Sequence, residues 1–156
     1  MAEFLLDVRD LHAGYGRAEV LHGLNLRARP GEVITVIGPN GAGKSTLLNA
    51  LMAALPARGT VAYDGKVVDL LSLEERVMLG MALVPETRAL FATMSVEDNL
   101  LLGAYRQFRL GATDSAPSLA DVFKLFPRLE ERRAQLAGTL ALPTVIDPAA
   151  TDETCV

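Results

Sequence analysis

The chain has 156 residues, half of them apolar and 22% charged, which is typical of one globular domain and not of a disordered segment. Fifteen basic and nineteen acidic side chains give a formal net charge of −4, which argues against a protein that binds nucleic acid by neutralising phosphates. No apolar run approaches the roughly 20 residues that cross a bilayer. Two histidines and one cysteine argue against a His/Cys metal site.

The N-terminal part of the chain alternates strand-like runs with glycine turns. Phe4 to Val8 and Val20 to Leu26 are rich in strand-forming residues, and Gly14 and Gly16 mark a turn between them. The next run, Val33 to Ile37, is mostly β-branched. Because a strand that is apolar on both faces is usually buried between neighbours, this run predicts a central strand of a parallel sheet.

The rest of the chain predicts further short elements bounded by turn or capping residues. Capping boxes, in which a serine is followed three residues later by an acid, mark helix starts at Ser72 and Ser95. Strands interspersed with helices indicate an α/β domain in which helices cover a sheet. In chain order we predict a helix over 46–55, a hairpin of strands 60–63 and 66–70 around Asp64-Gly65, a helix from Ser72 to about Gly80, a strand over 81–84, a helix from Ser95 towards Arg106, a loop over 110–118, and helices over 119–126 and 128–136.

The segment that follows the run at 33–37 carries the clearest chemical signal. Residues 38–45, GPNGAGKS, fit the phosphate-binding pattern G-x-x-x-x-G-K-[ST] at every fixed position. Glycines let the chain wrap tightly enough for several backbone N–H groups to converge on phosphate oxygens, and the N-terminus of the next helix adds its own. The candidate nucleotide-binding residues are Gly38, Asn40, Gly41, Ala42, Gly43, Lys44, Ser45 and Thr46.

Three side chains in this loop have separate predicted roles. Lys44 places a positive charge near the β- and γ-phosphates, and Ser45 offers a hydroxyl oxygen of the kind that Mg²⁺ prefers. Thr46 adds a hydroxyl or an N–H group near the α-phosphate. The alternative is a glycine turn that only caps the helix, with Lys44 solvated.

The amino-acid sequence of this loop resembles that of one family in particular. The run GPNGAGKST at 38–46 is similar to the phosphate loop of ABC transporter ATP-binding subunits, and residues 8–26 resemble the N-terminal strands of that family. The resemblance implies a P-loop NTPase fold, binding of ATP with Mg²⁺, and stacking of adenine on Tyr15. A flat aromatic ring suits a purine base. The alternative for Tyr15 is a tyrosine in a surface turn.

Residues 83–105 resemble the Q-loop region of the same family, with Glu86 where most members carry glutamine. The form V-P-E-x-R-x-L-F followed by V-E-x-N-L is similar to the branch that imports branched-chain amino acids with high affinity, where glutamate is usual. The resemblance implies that Glu86 senses Mg²⁺ and the γ-phosphate and relays their state to the membrane subunits. The alternative for Glu86 is a solvated acid after a proline turn.

The resemblance also implies partners and a location. The expected partners are transmembrane permease subunits and either a sister ATP-binding subunit or a second copy of this chain. A periplasmic amino-acid-binding protein would be linked indirectly, and nucleic acid is not expected. The implied location is cytoplasmic, peripheral on the inner face of the plasma membrane, and the single cysteine, Cys155, agrees with a reducing compartment.

The resemblance covers about residues 3–140 and then stops. Where the family continues with its signature motif, this chain has ALPT at 141–144. The Walker B aspartate, the catalytic glutamate, the D-loop and the switch histidine are not recognised, so no complete catalytic set is identified. Asp147 is not expected to act as a Walker B residue, because it has no acid directly after it.

Three expectations follow from that boundary. Residues 1–140 should form the N-terminal part of an ABC ATP-binding domain, with an incomplete sheet. Residues 141–156 should form an unrelated, disordered tail in which 144–146 is a short strand at best. The chain alone should hydrolyse ATP weakly or not at all, because phosphoryl transfer depends on groups that position water and metal.

Two alternatives to the ATP-binding subunit stay open. One is a binding module that holds nucleotide without turnover, or the truncated product of a longer gene. The other is an ABC-type ATPase that acts on DNA or ribosomes, which the acidic balance of the chain disfavours.

Overall fold

The computed structural model describes residues 3–87, 89–111 and 118–140. The chain divides into two compact units, Met1–Val84 and Pro85–Val156, and each is described by itself. Within the described residues, no helix combines the length and apolar character that a membrane-spanning helix needs. The predicted tail, with its possible strand at 144–146 and Asp147, lies outside these residues, as does most of the predicted loop over 110–118.

The first unit is built on a four-stranded antiparallel sheet. Its strands lie in the order β2-β1-β3-β4, and every neighbouring pair is antiparallel. The two N-terminal strands, with a turn between them, are confirmed and are longer than predicted. The hairpin around Asp64-Gly65 is confirmed, although its second strand ends at Val67 and not at Leu70. The strands are β1 (Leu6–Tyr15), β2 (Ala18–Ala28), β3 (Ala57–Tyr63) and β4 (Lys66–Val67).

A bulge in β1 keeps both halves of the strand facing the core. Val8 and Leu11 are both buried, although a spacing of three would place them on opposite faces of a regular strand. The register with both neighbouring strands shifts between these residues, where Asp10 adopts a positive φ of 50°. Gly59 lies opposite, so close to the Asp10 carbonyl that a Cβ would collide with it. The extra residue restores the inward direction of the side chains that follow.

Helix α1 (Lys44–Leu51) packs its apolar face on this sheet. Leu47 and Leu51 are buried, whereas Leu48 is exposed and the helix ends before the predicted Leu55. The buried cluster comprises Val8, Leu11, Ala13, Leu21, Leu47, Ala50, Leu51, Val61 and Val68.

Helix α2 (Leu73–Leu79) confirms the first predicted capping box. The Ser72 side chain accepts from the Glu75 N–H group, and the Glu75 carboxylate accepts from the Ser72 N–H group. Gly80 ends the helix in the left-handed conformation, as predicted.

The predicted strands at 33–37, expected in the centre of a parallel sheet, and at 81–84 are wrong. Neither segment pairs with another strand in the described parts of the chain. Val33, Ile37 and Val84 are each about 90% exposed. A run that is apolar on both faces becomes a strand only where neighbours pair with it and cover it, and the sheet of this unit is completed by local hairpins instead.

The second unit consists of short helices. The predicted helix from Ser95 ends at Gly103 and a second helix follows it, and the helix predicted over 128–136 ends at Glu131. The chain beyond it pairs with the start of α3 through a bridge between Ser95 and Leu136. The elements are α3 (Val96–Gly103), α4 (Tyr105–Leu110), α5 (Leu119–Leu125), α6 (Pro127–Glu131) and a 3₁₀ turn (Ala137–Thr139).

Candidate functional site

The glycine loop leads directly into α1 and is shaped by its glycines. Gly41 and Gly43 have φ angles of 86° and 89°, which residues other than glycine rarely adopt. A Cβ on Gly43 would lie 3.0 Å from Cγ1 of Val20 and 3.2 Å from Cδ2 of Leu21. The loop therefore lies closely against β2, and only glycine fits at its end.

Lys44 folds back across this loop. Its Nζ donates to the carbonyl oxygen of Gly38 at 2.7 Å and to that of Pro39 at 2.8 Å. The Ala42 N–H group donates to the Pro39 carbonyl at 3.2 Å, which closes the turn at the tip. The ammonium group thus lies inside the curve of the loop, held only by backbone carbonyls in these two bonds.

The N-terminus of α1 supplies the rest of the predicted site. Gly43 is its N-cap and has no side chain to accept from the first-turn amides, which have no partner within the helix. Ser45 is exposed at this end, whereas Thr46 is buried. The structure therefore brings the loop, a cation, a hydroxyl and a positive helix end together, with Asn40 exposed at the tip.

Tyr15 lies at the turn between β1 and β2, where its side chain is half exposed. It pairs with Ala18 across the turn, and it lines a groove of about 600 Å³ with residues 12–19 and 55–58. Strand β2 leads from this turn to Val20, which lies against Gly43. The tyrosine and the phosphate loop thus belong to the same unit and are linked through β2.

A group of charged residues lies beside Tyr15 that no pattern in the sequence predicts. Glu19 contacts His12 at 2.9 Å, His22 at 3.3 Å and Arg58 at 3.5 Å. The hydrogen bond from His12 is the largest cause that lowers the pKa of Glu19 below its usual value, against burial, which raises it. The positions of these residues along the sequence give no sign that they meet, because their approach depends on the strand register.

Glu86 is exposed on a bend and belongs to the second unit, whereas Ser45 belongs to the first. The segment after it is braced by Asn99 of α3. The Asn99 carbonyl oxygen accepts from the Phe91 N–H group at 2.9 Å, and its amide donates to the Phe91 carbonyl at 3.1 Å. The asparagine in the V-E-x-N-L pattern thus ties the backbone at Phe91 to the first turn of α3.

Comparisons with known proteins agree with this architecture. Residues 21–151 match the family model described as ABC transporter. The high-affinity branched-chain amino acid transport ATP-binding protein BraG of Pseudomonas aeruginosa is 38% identical over 128 residues, which cover 81% of this chain and 54% of BraG. The hemin import ATP-binding protein HmuV of Pseudomonas entomophila is 37% identical over 150 residues, which cover 88% of this chain and 58% of HmuV.

A solved structure of an ATP-binding subunit of an ABC transporter has a TM-score of 0.67 and 28% identity. The match covers 85% of this chain and 54% of that one. The chain therefore spans somewhat more than half the length of BraG, of HmuV and of this solved structure. The family match, the identities and the shared α/β architecture together lead to one conclusion: this chain belongs to the ABC transporter family, and it folds as part of an ABC-type P-loop ATPase domain.

Proposed function

We propose that this chain binds ATP with Mg²⁺ through the loop Gly38–Thr46, as the nucleotide-binding part of an ATP-binding subunit that drives import of branched-chain amino acids. The observation that carries the proposal is the position of the Lys44 ammonium group, inside the loop and within 2.8 Å of two backbone carbonyls. A phosphate oxygen binds an ammonium group more strongly than a neutral carbonyl does. A nucleotide can therefore compete for Lys44 without a large rearrangement of the loop.

The donor set of the loop fits a triphosphate with its metal. The first turn of α1 offers N–H groups and the positive end of a helix dipole, and no side chain of the N-cap competes for them. Ser45 offers an exposed hydroxyl oxygen, a hard ligand suited to Mg²⁺. Tyr15 would stack on the base, and its exposed ring is open to such a partner.

The branched-chain assignment is supported by the V-P-E-x-R-x-L-F segment around Glu86 and by the identity to BraG. HmuV, a hemin import protein, is similar to nearly the same degree. The proposed substrate therefore has less support than the proposed binding of nucleotide. In this proposal Glu86 senses the metal and the γ-phosphate.

Transmembrane permease subunits are the proposed partners of the second unit, with the chain peripheral on the cytoplasmic face of the membrane. An apolar groove of about 490 Å³ supports this contact, because residues 89–91, which follow Glu86, line it together with α3, Leu129 and Leu140, and the Phe91 ring is exposed. An exposed apolar groove of this kind marks an interaction site. A sister ATP-binding subunit or a second copy of the chain completes the proposed complex.

Replacement of Lys44 tests nucleotide binding. We expect Lys44→Ala to weaken binding of a fluorescent ATP analogue with Mg²⁺ by about 10- to 100-fold, because a hydrogen-bonded charge on phosphate is lost. Lys66→Ala is the matched control, since Lys66 is an exposed lysine on β4 of the same unit, and it should bind the analogue as the unchanged chain does. Equal affinities for the two variants would overturn the proposed site.

Turnover is measured separately from binding. The described loop holds phosphates, whereas the groups that orient an attacking water in the family are not recognised in the sequence. We therefore expect little phosphate release from the chain alone, even where the analogue binds. Rapid release by the chain alone, abolished by Lys44→Ala, would show that other residues supply this role.

A further inference from the structure

One carboxylate connects three strands beside Tyr15. Oε1 of Glu19, on β2, lies 2.9 Å from Nδ1 of His12 on β1 and 3.5 Å from Nη2 of Arg58 on β3. The other oxygen, Oε2, lies 3.3 Å from Nδ1 of His22 on β2. Glu19 is therefore the centre of a polar cluster at the end of the sheet where the chain turns at Tyr15.

His12 is held between two carboxylates in this cluster. Its Nδ1 faces Glu19 at 2.9 Å, and its Nε2 faces Oδ1 of Asp10 at 3.1 Å. Both contacts are hydrogen bonds only when both ring nitrogens carry a proton, because a neutral imidazole has a single N–H group. A neutral His12 would set a lone pair against one of the carboxylates. The geometry therefore requires the imidazolium form if both contacts are to hold.

The same contacts fix the turn that carries Tyr15. Glu19 pairs with Gly14 in the strand register, and Tyr15 pairs with Ala18. The two strands approach so closely here that a Cβ on Gly14 would collide with the Ala18 carbonyl oxygen. The side-chain link from Glu19 to His12 spans β1 and β2 directly behind this turn, so it limits how far the turn can open.

We propose that His12 is a positioning residue for Tyr15, and that its protonation makes nucleotide affinity depend on pH. This inference rests on the proposed function, in which Tyr15 stacks on the base. The groups that face His12 and its partner are Asp10 on β1, Glu19 and His22 on β2, and Arg58 on β3.

The direction of the effect follows from the charged contacts. The imidazolium form of His12 holds both carboxylates, so the link is complete while both ring nitrogens carry a proton and is weakened when one of them loses it. When the turn is held less firmly, the Tyr15 ring spends less of its time in the position that stacks on the base. Nucleotide affinity should therefore be highest in acid and fall as pH rises.

The affinity of the fluorescent ATP analogue with Mg²⁺, measured between about pH 5 and pH 8, tests the inference. We expect the unchanged chain to bind about two- to fivefold more weakly at the upper end, the size expected for one partly exposed ion pair. His12→Gln keeps a polar side chain that does not titrate, and its affinity should lack this component. The ratio of the two affinities at each pH removes the titration of the analogue, which is the same for both proteins.

His22→Gln is the control for the second histidine. His22 contacts Glu19 through one nitrogen, so a neutral His22 keeps that bond and its variant should keep the pH dependence. Loss of the dependence in His22→Gln but not in His12→Gln would overturn the inference, as would an affinity ratio that does not change with pH. Binding that is undetectable at every pH would instead overturn the proposed function.

A reporter at the turn gives a second measurement that needs no nucleotide. The chain has no tryptophan, so Tyr15→Trp introduces a single emitting indole. We expect its emission to change with pH in the otherwise unchanged chain, and not when His12→Gln is added. The same emission change in both proteins would show that His12 does not position residue 15.

Discussion

The four-stranded sheet and the two apolar segments at 33–37 and 81–84 have similar residue types and opposite outcomes. The sheet strands are paired by hairpins or by direct register with β1, and their inward residues are almost wholly buried. The two segments are just as rich in valine, isoleucine and leucine, yet they do not pair within the described residues and leave Val33, Ile37 and Val84 exposed. Apolar composition alone therefore does not make a strand.

The difference lies in where each strand finds its partner. An antiparallel pair is closed by a short turn, so β1 with β2, and β3 with β4, need only nearby sequence. A parallel strand needs neighbours that are brought in by long connections, and it is buried on both faces only when those neighbours are present. Segments of the second kind depend on residues far away in the chain or on another partner.

Replacing one residue of the paired strands and one of the unpaired segments should give the largest difference in the free energy of unfolding. We expect Leu11→Ala to lower the free energy of unfolding by about 2–5 kcal/mol, because Leu11 is 1% exposed and its removal leaves a cavity in the core. Ile37→Ala should change it by less than about 0.5 kcal/mol, since the side chain is 89% exposed. Urea unfolding followed by circular dichroism gives both values.

Equal losses of unfolding free energy in Leu11→Ala and Ile37→Ala would contradict the difference between the sheet and the segment 33–37. A large cost at Ile37 would mean that the segment 33–37 is packed in solution, against its exposure in the structure. A small cost at Leu11 would mean that the sheet is not the stable part of the first unit.

Arg76 supplies the next largest effect, because its guanidinium ties α2 to the sheet region through hydrogen bonds to backbone carbonyls. It is 3% exposed, and burial lowers the pKa of its guanidinium from the usual value, against the nearby charge of Asp69, which raises it. Its donors fill carbonyls at the end of α1 and beside β4, with the shortest bonds at 2.6 Å to Leu51 and 2.8 Å to Val68. The complete set of acceptors is Ala50, Leu51, Val68, Asp69 and Leu71.

We expect Arg76→Met to cost about 2–4 kcal/mol, because buried carbonyls lose their donors while the volume is largely kept. Lys44→Ala is the contrasting change, since Lys44 also donates to two backbone carbonyls but is only partly buried, at the first residue of α1. It should cost less than about 1 kcal/mol. Unfolding of both variants in urea measures the difference. A small loss of unfolding free energy in Arg76→Met would show that water replaces the guanidinium as donor to these carbonyls.

Much of this fold could be predicted from local sequence, and the failures share one cause. The phosphate loop pattern at 38–45, the two-residue turn at Asp64-Gly65 and the serine capping boxes depend on residues within a few positions, and the structure contains the turn and the caps. The bulge at Asp10, the carbonyl contacts of Arg76 and the cluster around Glu19 depend on register between distant strands and helices, for which the sequence has no local mark.

The capping box of α5 gives the smallest expected effect. It tests a feature that depends only on residues close together in the sequence. Ser118 and Asp121 exchange hydrogen bonds at its first turn, and the bond from Ser118, together with that from Lys124, lowers the pKa of Asp121 from 3.8 to about 2. A carboxyl with a lowered pKa stabilises the folded state fully above its usual pKa, and that contribution is lost as pH falls through about 2. Asp121 should thus remain ionised at about pH 3, where an ordinary aspartate is mostly protonated.

A carbon NMR titration of the Asp121 carboxyl measures this directly. Ser118→Ala removes the hydroxyl that is the largest cause of the lowered pKa, so its midpoint should move back towards 3.8 while the strands of the first unit keep their amide signals. An unchanged midpoint in Ser118→Ala would mean that the box does not form in solution. A simultaneous loss of the sheet signals would mean that this helix start is not the independent, locally determined element that its sequence predicts.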